Sequence, residues 1–294
     1  MAGSATLLWR WARRNPVTAA GFALIVTMAI LGVLAPLIAP YDPYALNPSA
    51  VLQPPSWAHP FGTGTFGEDI FSRVLYGIRI DFGIGIGAVA IGLVVGSTVG
   101  ALAGFIGGKI DEIAMRSMDI IAAFPSFILA LGIAGALGPS LPNLIIAIAF
   151  VNAPIYLRLM RNQVMSIRTM RYVEAAWLAG LPDARIIARH VVPNAMAPVL
   201  AQLSVNIGWS ILLTSALSFI GAGVKAPTPE WGSMIAMGYQ NIITGQWWSS
   251  IFPGLALAVT VFGFALVGSS VEVLSDPARR RRLAGRLTAA RGAA

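Results

Sequence analysis

The chain has 294 residues, 56% of them hydrophobic and 11% charged, with a mean hydropathy of +0.75. Soluble domains carry roughly 25% charged residues, so this composition excludes a water-soluble globular fold and fits a surface that faces lipid. With no cysteine and only two histidines, His59 and His190, far apart in the chain, it also excludes disulfides and thiolate chemistry and gives no histidine metal centre; the net charge of +8 needs a topological account before it is read as nucleic-acid binding.

A helix crosses the hydrocarbon core with about 20 mostly apolar residues. A basic lead, Trp9-Arg10-Trp11-Ala12-Arg13-Arg14, precedes the first such run at 17–38. That run is longer than the roughly 7–15 apolar residues of a signal peptide, so it is predicted to remain as a span. The lead is expected to lie in the interface with Trp9 and Trp11 at headgroup level. Further spans are predicted over 82–106, 120–137, 141–157, 197–222 and 251–271. Only Gly138-Pro139-Ser140 separates the third from the fourth, which predicts a tight helical hairpin at a membrane face. Pro125, Asn152-Ala153-Pro154 and Pro253 are either hinges or prolines of the kind that spanning helices tolerate. Charges are almost absent from these spans, Asp119 sitting at an edge, so no buried ion pair or proton relay is expected there.

With the N-terminus inside, all but three of the 20 Lys and Arg (Arg73, Arg79 and Lys225) fall on inner segments. This is the positive-inside pattern, and it places both termini in the cytoplasm. It also accounts for the basic charge without a nucleic-acid partner. The expected organisation is an all-α integral membrane protein. Residues 1–81 carry the lead, the first span and an outer loop; 82–277 form a five-helix core; 278–294 are a basic cytoplasmic tail.

The longest inner loop, 158–196, contains Tyr172-Val173-Glu174-Ala175-Ala176-Trp177-Leu178-Ala179-Gly180-Leu181-Pro182-Asp183. Good helix formers run to Ala179, Gly180 suits a left-handed helix stop, and Pro182 suits the start of a second helix that ends near Pro193. Tyr172, Ala176 and Ala179 fall at i, i+4 and i+7 and share one face. Such a face either docks into a protein groove or folds back on its own bundle. Glu174, at the start of the helix, is either a docking contact or a solvated carboxylate favoured by the helix dipole. The outer stretch with Glu230, Trp231, Trp247 and Trp248 is read either as a docking surface or as an interfacial aromatic belt.

The spacing Glu174-Ala175-Ala176, three residues, Gly180, nine residues, His190-Val191-Val192-Pro193-Asn194 resembles the EAA loop of binding-protein-dependent ATP-binding cassette (ABC) importer permeases. His59-Pro60-Phe61-Gly62-Thr63, Gly67, Asp69, Ser72-Arg73, Tyr76-Gly77 and Arg79 look like the C-type permease branch of dipeptide and oligopeptide importers. So do Leu217 to Gly221, Pro227-Thr228-Pro229, Trp231-Gly232, Met234 and Asp276-Pro277. The chain departs from the branch at Gly64 and Glu68, commonly Asp and Arg, and at Gly268-Ser269-Ser270-Val271-Glu272.

The resemblance implies a type I ABC importer permease with six transmembrane helices in the cell membrane. It implies a coupling helix that docks an ATPase through Tyr172, Glu174, Ala175, Ala176, Ala179, Gly180 and Pro193. The partners it implies are a homologous sister permease, two ATPase subunits, an extracytoplasmic solute-binding protein and membrane lipid. The solute it implies is a di- or oligopeptide, with nickel chelates, glutathione or another small solute as alternatives; a passive membrane channel is the distant alternative. Gly107-Gly108-Lys109-Ile110 fails the phosphate-loop pattern, so ATP and Mg are expected on the partner chains, and this chain is expected to hold no cofactor and catalyse no reaction.

Overall fold

The computed structural model describes residues 15–275, with side chains up to Gly268. The basic lead, Asp276-Pro277 and the basic tail lie outside the described residues. The described chain is helical apart from turns and one isolated bridge between Thr63 and Asp69. Among the described residues, four helices are each long and apolar enough to cross a bilayer, and two bent helix pairs raise the number to six if each pair is one span.

Helix α1 (Pro16–Ile38) opens on Pro16, where a missing N–H breaks no helical bond. Only Thr18, Gly21, Gly32 and Ala35 are buried along it, so it meets the rest of this chain on a narrow seam. The segment that follows, outer in the topology expected from the lysine and arginine distribution (the sense in which inner and outer are used below), leads to α2 (Ile70–Ile106), capped by Asp69, whose carboxylate accepts from Ser72 N at 2.8 Å. The sequence predicted this span from residue 82. The helix starts earlier, at the Asp69 cap; of the charges in its first turns, Arg73 and Asp81 are buried against protein and Arg79 is exposed.

Positive φ at Gly107 and Gly108 ends α2 and starts α3 (Gly108–Ala122), which is followed by α4 (Ser126–Leu137). The third span is therefore not the straight helix predicted over 120–137. It breaks by 90° at residues 123–125, where Pro125 forces the preceding residue off helical geometry. The tight hairpin forms as expected. Ser140 caps α5 (Leu141–Ile167), and Asn143 Nδ2 donates to the Leu137 and Gly138 carbonyls at 2.7 and 3.0 Å.

The inner loop holds α6 (Arg171–Leu178) and α7 (Asp183–Ile186), then a π-helical turn, Ile187–Val191, and α8 (Val192–Ala201). The fifth span is also bent, by 50°, between α8 and α9 (Leu203–Phe219). Pro198 within α8 withdraws one helical N–H just before that bend. A short helix, α10 (Trp231–Gly238), precedes the last span, α11 (Trp248–Ser275).

The dominant internal contact joins α2 to α5. Gly92, Gly96, Gly100 and Gly104 form a stripe at four-residue spacing against the α5 backbone. A Cβ built on Gly96 would sit 2.5 Å from the Ala153 carbonyl, and one on Gly104 2.7 Å from that of Arg161. Small residues at this spacing let two spanning helices approach backbone to backbone, which is how helices associate where lipid removes the hydrophobic drive. At the inner end of this pair one buried cluster takes in Phe105, Tyr156, Met160, Val164 and Ile167 together with Val173, Ala176, Ile186 and Val191 of the loop.

Candidate functional site

The inner loop is built by local rules. Gly180, at φ +77, ends α6 with a pair of bonds, Leu181 N to the Ala176 carbonyl at 3.2 Å and Gly180 N to the Trp177 carbonyl at 2.9 Å. This is the Schellman stop, and Leu181 packs against the same buried cluster as Ala176. Pro182 stands at the N-cap of α7, one position earlier than a first-turn residue. The π turn answers Pro193. Its ring removes one helical donor, and the loop widens so that Val192 N bonds the carbonyl of Ile187, five residues back. His190 lies in this turn, its carbonyl accepting from Asn194 Nδ2 at 2.6 Å.

Helix α6 does both things the sequence left open. Val173 and Ala176 fold back into the bundle and are buried. The opposite side presents Glu174, Ala175 and Leu178, the last 84% exposed, with Tyr172 and Ala179 exposed at its edge. The face predicted from Tyr172, Ala176 and Ala179 is therefore divided, since Ala176 points to the core. Pro193 is exposed at the start of α8. Glu174 lines an open cleft of about 370 Å³ with Phe105, Arg168, Thr169 and Trp177.

Several ties hold this loop to the spanning helices. Arg168, the C-cap of α5, donates through Nη1 to the carbonyls of Gly104 and Phe105 at 3.0 and 3.1 Å. The Phe105 ring lies 5.6 Å from that of Trp177, whose Nε1 donates to Asp183 at 2.9 Å. Above the loop, α5 itself is tied to α3: Arg161 forks onto Asp111 at 2.7 and 2.5 Å, and Arg158 reaches Asp119 at 2.9 Å, since α5 runs to Ile167, past the predicted end of the span at 157. Leu178 and Arg168 were not singled out from sequence. The legible clue to Leu178 is its place half a helical turn from Val173 and Ala176; nothing local marks Arg168 among the other loop arginines.

The outer stretch is neither of the surfaces expected of it at its key positions. Glu230 and Trp231 are fully buried, and Trp248 is nearly so; only Trp247 is well exposed. Glu230 caps α10, accepting from the N–H groups of Gly232 and Ser233, both at 2.8 Å. Trp231 N donates to Asp81, and Trp231 Nε1 donates to the Val74 carbonyl. Arg73 Nη1 ties the Pro43 and Pro227 carbonyls at 2.9 and 3.1 Å. His59 Nδ1 pairs with Asp69 at 2.8 Å while its ring stacks on Tyr41, so it serves as an outer tie. No buried ion pair or proton relay is expected in the predicted spans; Asp81, one residue before the second of them, lies fully buried inside α2, where it accepts from Trp231 N beside the buried Glu230.

Comparison with known proteins gives consistent matches. The family model described as the inner membrane component of binding-protein-dependent transport systems matches residues 96–281. That for the N-terminal transmembrane domain of oligopeptide transport permease C matches residues 6–55. The chain is 42% identical to a probable D,D-dipeptide transport system permease protein of Escherichia coli, over 93% of this chain and 91% of that protein. It is 40% identical to a dipeptide transport system permease protein of Alkalihalophilus pseudofirmus, over 92% and 90%. Among solved structures, the inward-facing MetNI methionine ABC transporter superposes with a TM-score of 0.56 at 18% identity, over 70% of this chain and 98% of that one. At that identity the likeness speaks for the fold alone.

Proposed function

The chain belongs to the inner-membrane components of binding-protein-dependent transport systems, on the dipeptide and oligopeptide C-type branch, and from that premise we propose how it works. It is a multi-pass membrane permease subunit of an ABC importer. Its solute is a di- or oligopeptide, as the names of its relatives suggest. It pairs with a homologous sister permease, two ATPase subunits sit on its inner side, and an external binding protein delivers the solute. Both termini lie in the cytoplasm, in keeping with the lysine and arginine distribution. ATP and Mg are held by the partner chains, and this chain moves solute by alternating access without catalysing a reaction.

The observation that carries the energy-coupling part is the divided helix α6. Val173 and Ala176 bind it to its own bundle, while Glu174, Ala175 and Leu178 form a free face with an apolar centre and an acidic edge. A helix held on one side and unpartnered on the other suits a groove on another protein. In this reading the ATPase meets that face, with Tyr172 and Ala179 at its margin, Gly180 fixing where the helix stops and Pro193 exposed beyond it.

The test is a mild-detergent purification of the tagged chain from its native cell, with mass spectrometry of the co-purifying proteins, beside Glu174→Arg. An ATPase and a second permease are expected with the native chain, and the ATPase is expected to be lost from the variant. A native chain that purifies alone, where other importers stay intact, would sink the proposal. Uptake of a labelled dipeptide by proteoliposomes of the complex with its binding protein tests the solute class.

A further inference from the structure

Helix α2 has 37 residues. At 1.5 Å per residue it is about 55 Å long, more than the roughly 40–45 Å of a bilayer with its headgroups. Its outer end is fastened by the Asp69 cap, by Arg73 on the Pro43 and Pro227 carbonyls, and by Trp231 on Val74 and Asp81. Its inner half is seated on α5 through the glycine stripe. At its inner end Gly107 breaks the helix, and the last turn is left with carbonyls that no helical N–H can reach. Gly107 N takes the Ala103 carbonyl, and Arg168 takes the next two, Gly104 and Phe105. A cation there also sits at the negative end of the helix dipole.

Arg168 stands three residues before α6 begins at Arg171. Near the other end of α6, the Trp177 ring lies tilted against that of Phe105, 5.6 Å away. The last turn of α2 is thus gripped from both ends of the docking helix, by a charged bond at one end and an aromatic contact at the other. Resting on the energy-coupling reading above, we infer that Arg168 is a positioning residue that makes α6 and the inner end of α2 move as one body, so that displacement of the loop is delivered along α2 to the outer ties. Val173 and Ala176 keep α6 on the bundle, but an apolar contact slides. Two bonds from one guanidinium to backbone carbonyls fix the position along the helix axis.

The experiment uses the whole complex in proteoliposomes and reads solute uptake per ATP hydrolysed. Arg168→Gln is expected to lower that ratio about tenfold, the scale of losing charge-assisted bonds, with the ATPase still bound. Arg168→Lys, which can still donate to the two carbonyls, is expected to recover much of it. An unchanged ratio in Arg168→Gln overturns the inference. So does loss of the ATPase from that variant, which would make Arg168 part of the docking surface.

A second measurement needs no partner. Because the chain has no cysteine, spin labels on Ile106→Cys and Met170→Cys, both positions exposed, report the distance between the end of α2 and the start of α6. A single narrow distance is expected in the native background and a broadened one with Arg168→Gln; equal breadth in the two refutes the positioning role. This decides the role of Arg168 even if no ATPase is captured, so failure here and failure of the importer reading are told apart.

Discussion

Asp81 and Glu230 are two fully buried carboxyl groups close to one another, Glu230 capping α10 and Asp81 accepting from the N–H of the next residue, Trp231. Burial pushes the Glu230 carboxyl above its ordinary range, against the pull of the Gly232 and Ser233 N–H bonds. A carboxyl raised in the folded state binds its proton more tightly there than in the unfolded chain. The stability it contributes is therefore present at acid pH and is lost as pH rises through the raised value. The expected result is a melting temperature in detergent that falls as pH is raised. Glu230→Gln, which removes the titrating group itself, should flatten that slope. A native protein whose melting is independent of pH contradicts a raised Glu230 carboxyl. The sequence concealed this pair because a span beginning at residue 82 left Asp81 outside the membrane, and because nothing local ties it to Glu230, about 150 positions away. Gly180 lies at the other extreme. Its helix stop was legible because the left-handed conformation is a property of the residue itself, and no neighbour lies within 4 Å of a Cβ built there.

Among the elements, the α2–α5 pair makes the sharpest prediction. Gly100 faces the Leu157 backbone so closely that an added Cβ has no room, and backbone cannot turn aside as a side chain can. Gly100→Ala is expected to destabilise the protein by about 1–3 kcal/mol, the scale of overpacking, measured as a lowered unfolding midpoint in detergent. Gly132→Ala, where a Cβ meets nothing within 4 Å, is its control and should be close to neutral. The stripe was present in the sequence as a four-residue glycine repeat within an apolar run, yet its partner helix was not legible. The bends were half-legible for a similar reason. Pro125 and Pro198 stand in the sequence, but apolar composition is the same for a straight span and a broken one, and the 90° and 50° angles come from packing.

For the whole molecule, spans and class followed from composition, since too few charges leave only lipid as a neighbour. Orientation is the global property that cysteine accessibility settles, and the cysteine-free chain is suited to it. Trp57→Cys, at a fully exposed outer-segment position, should react with a membrane-impermeant maleimide in intact cells. Met170→Cys should react only after permeabilisation; the reverse pattern would invert the topology.

The glycine seam bears on where the protein can move. A contact made of backbone against backbone has no rotamers to freeze or release, so its tightness carries little of the conformational entropy that loosens side-chain contacts on warming. Such a seam acts as a weld. Flexing is then left to the elbows at residues 123–125 and at Gln202, where helical hydrogen bonding is already interrupted. A conformational cycle in this chain would be a matter of two hinges turning around a fixed spine, with a thermal dependence set at the hinges.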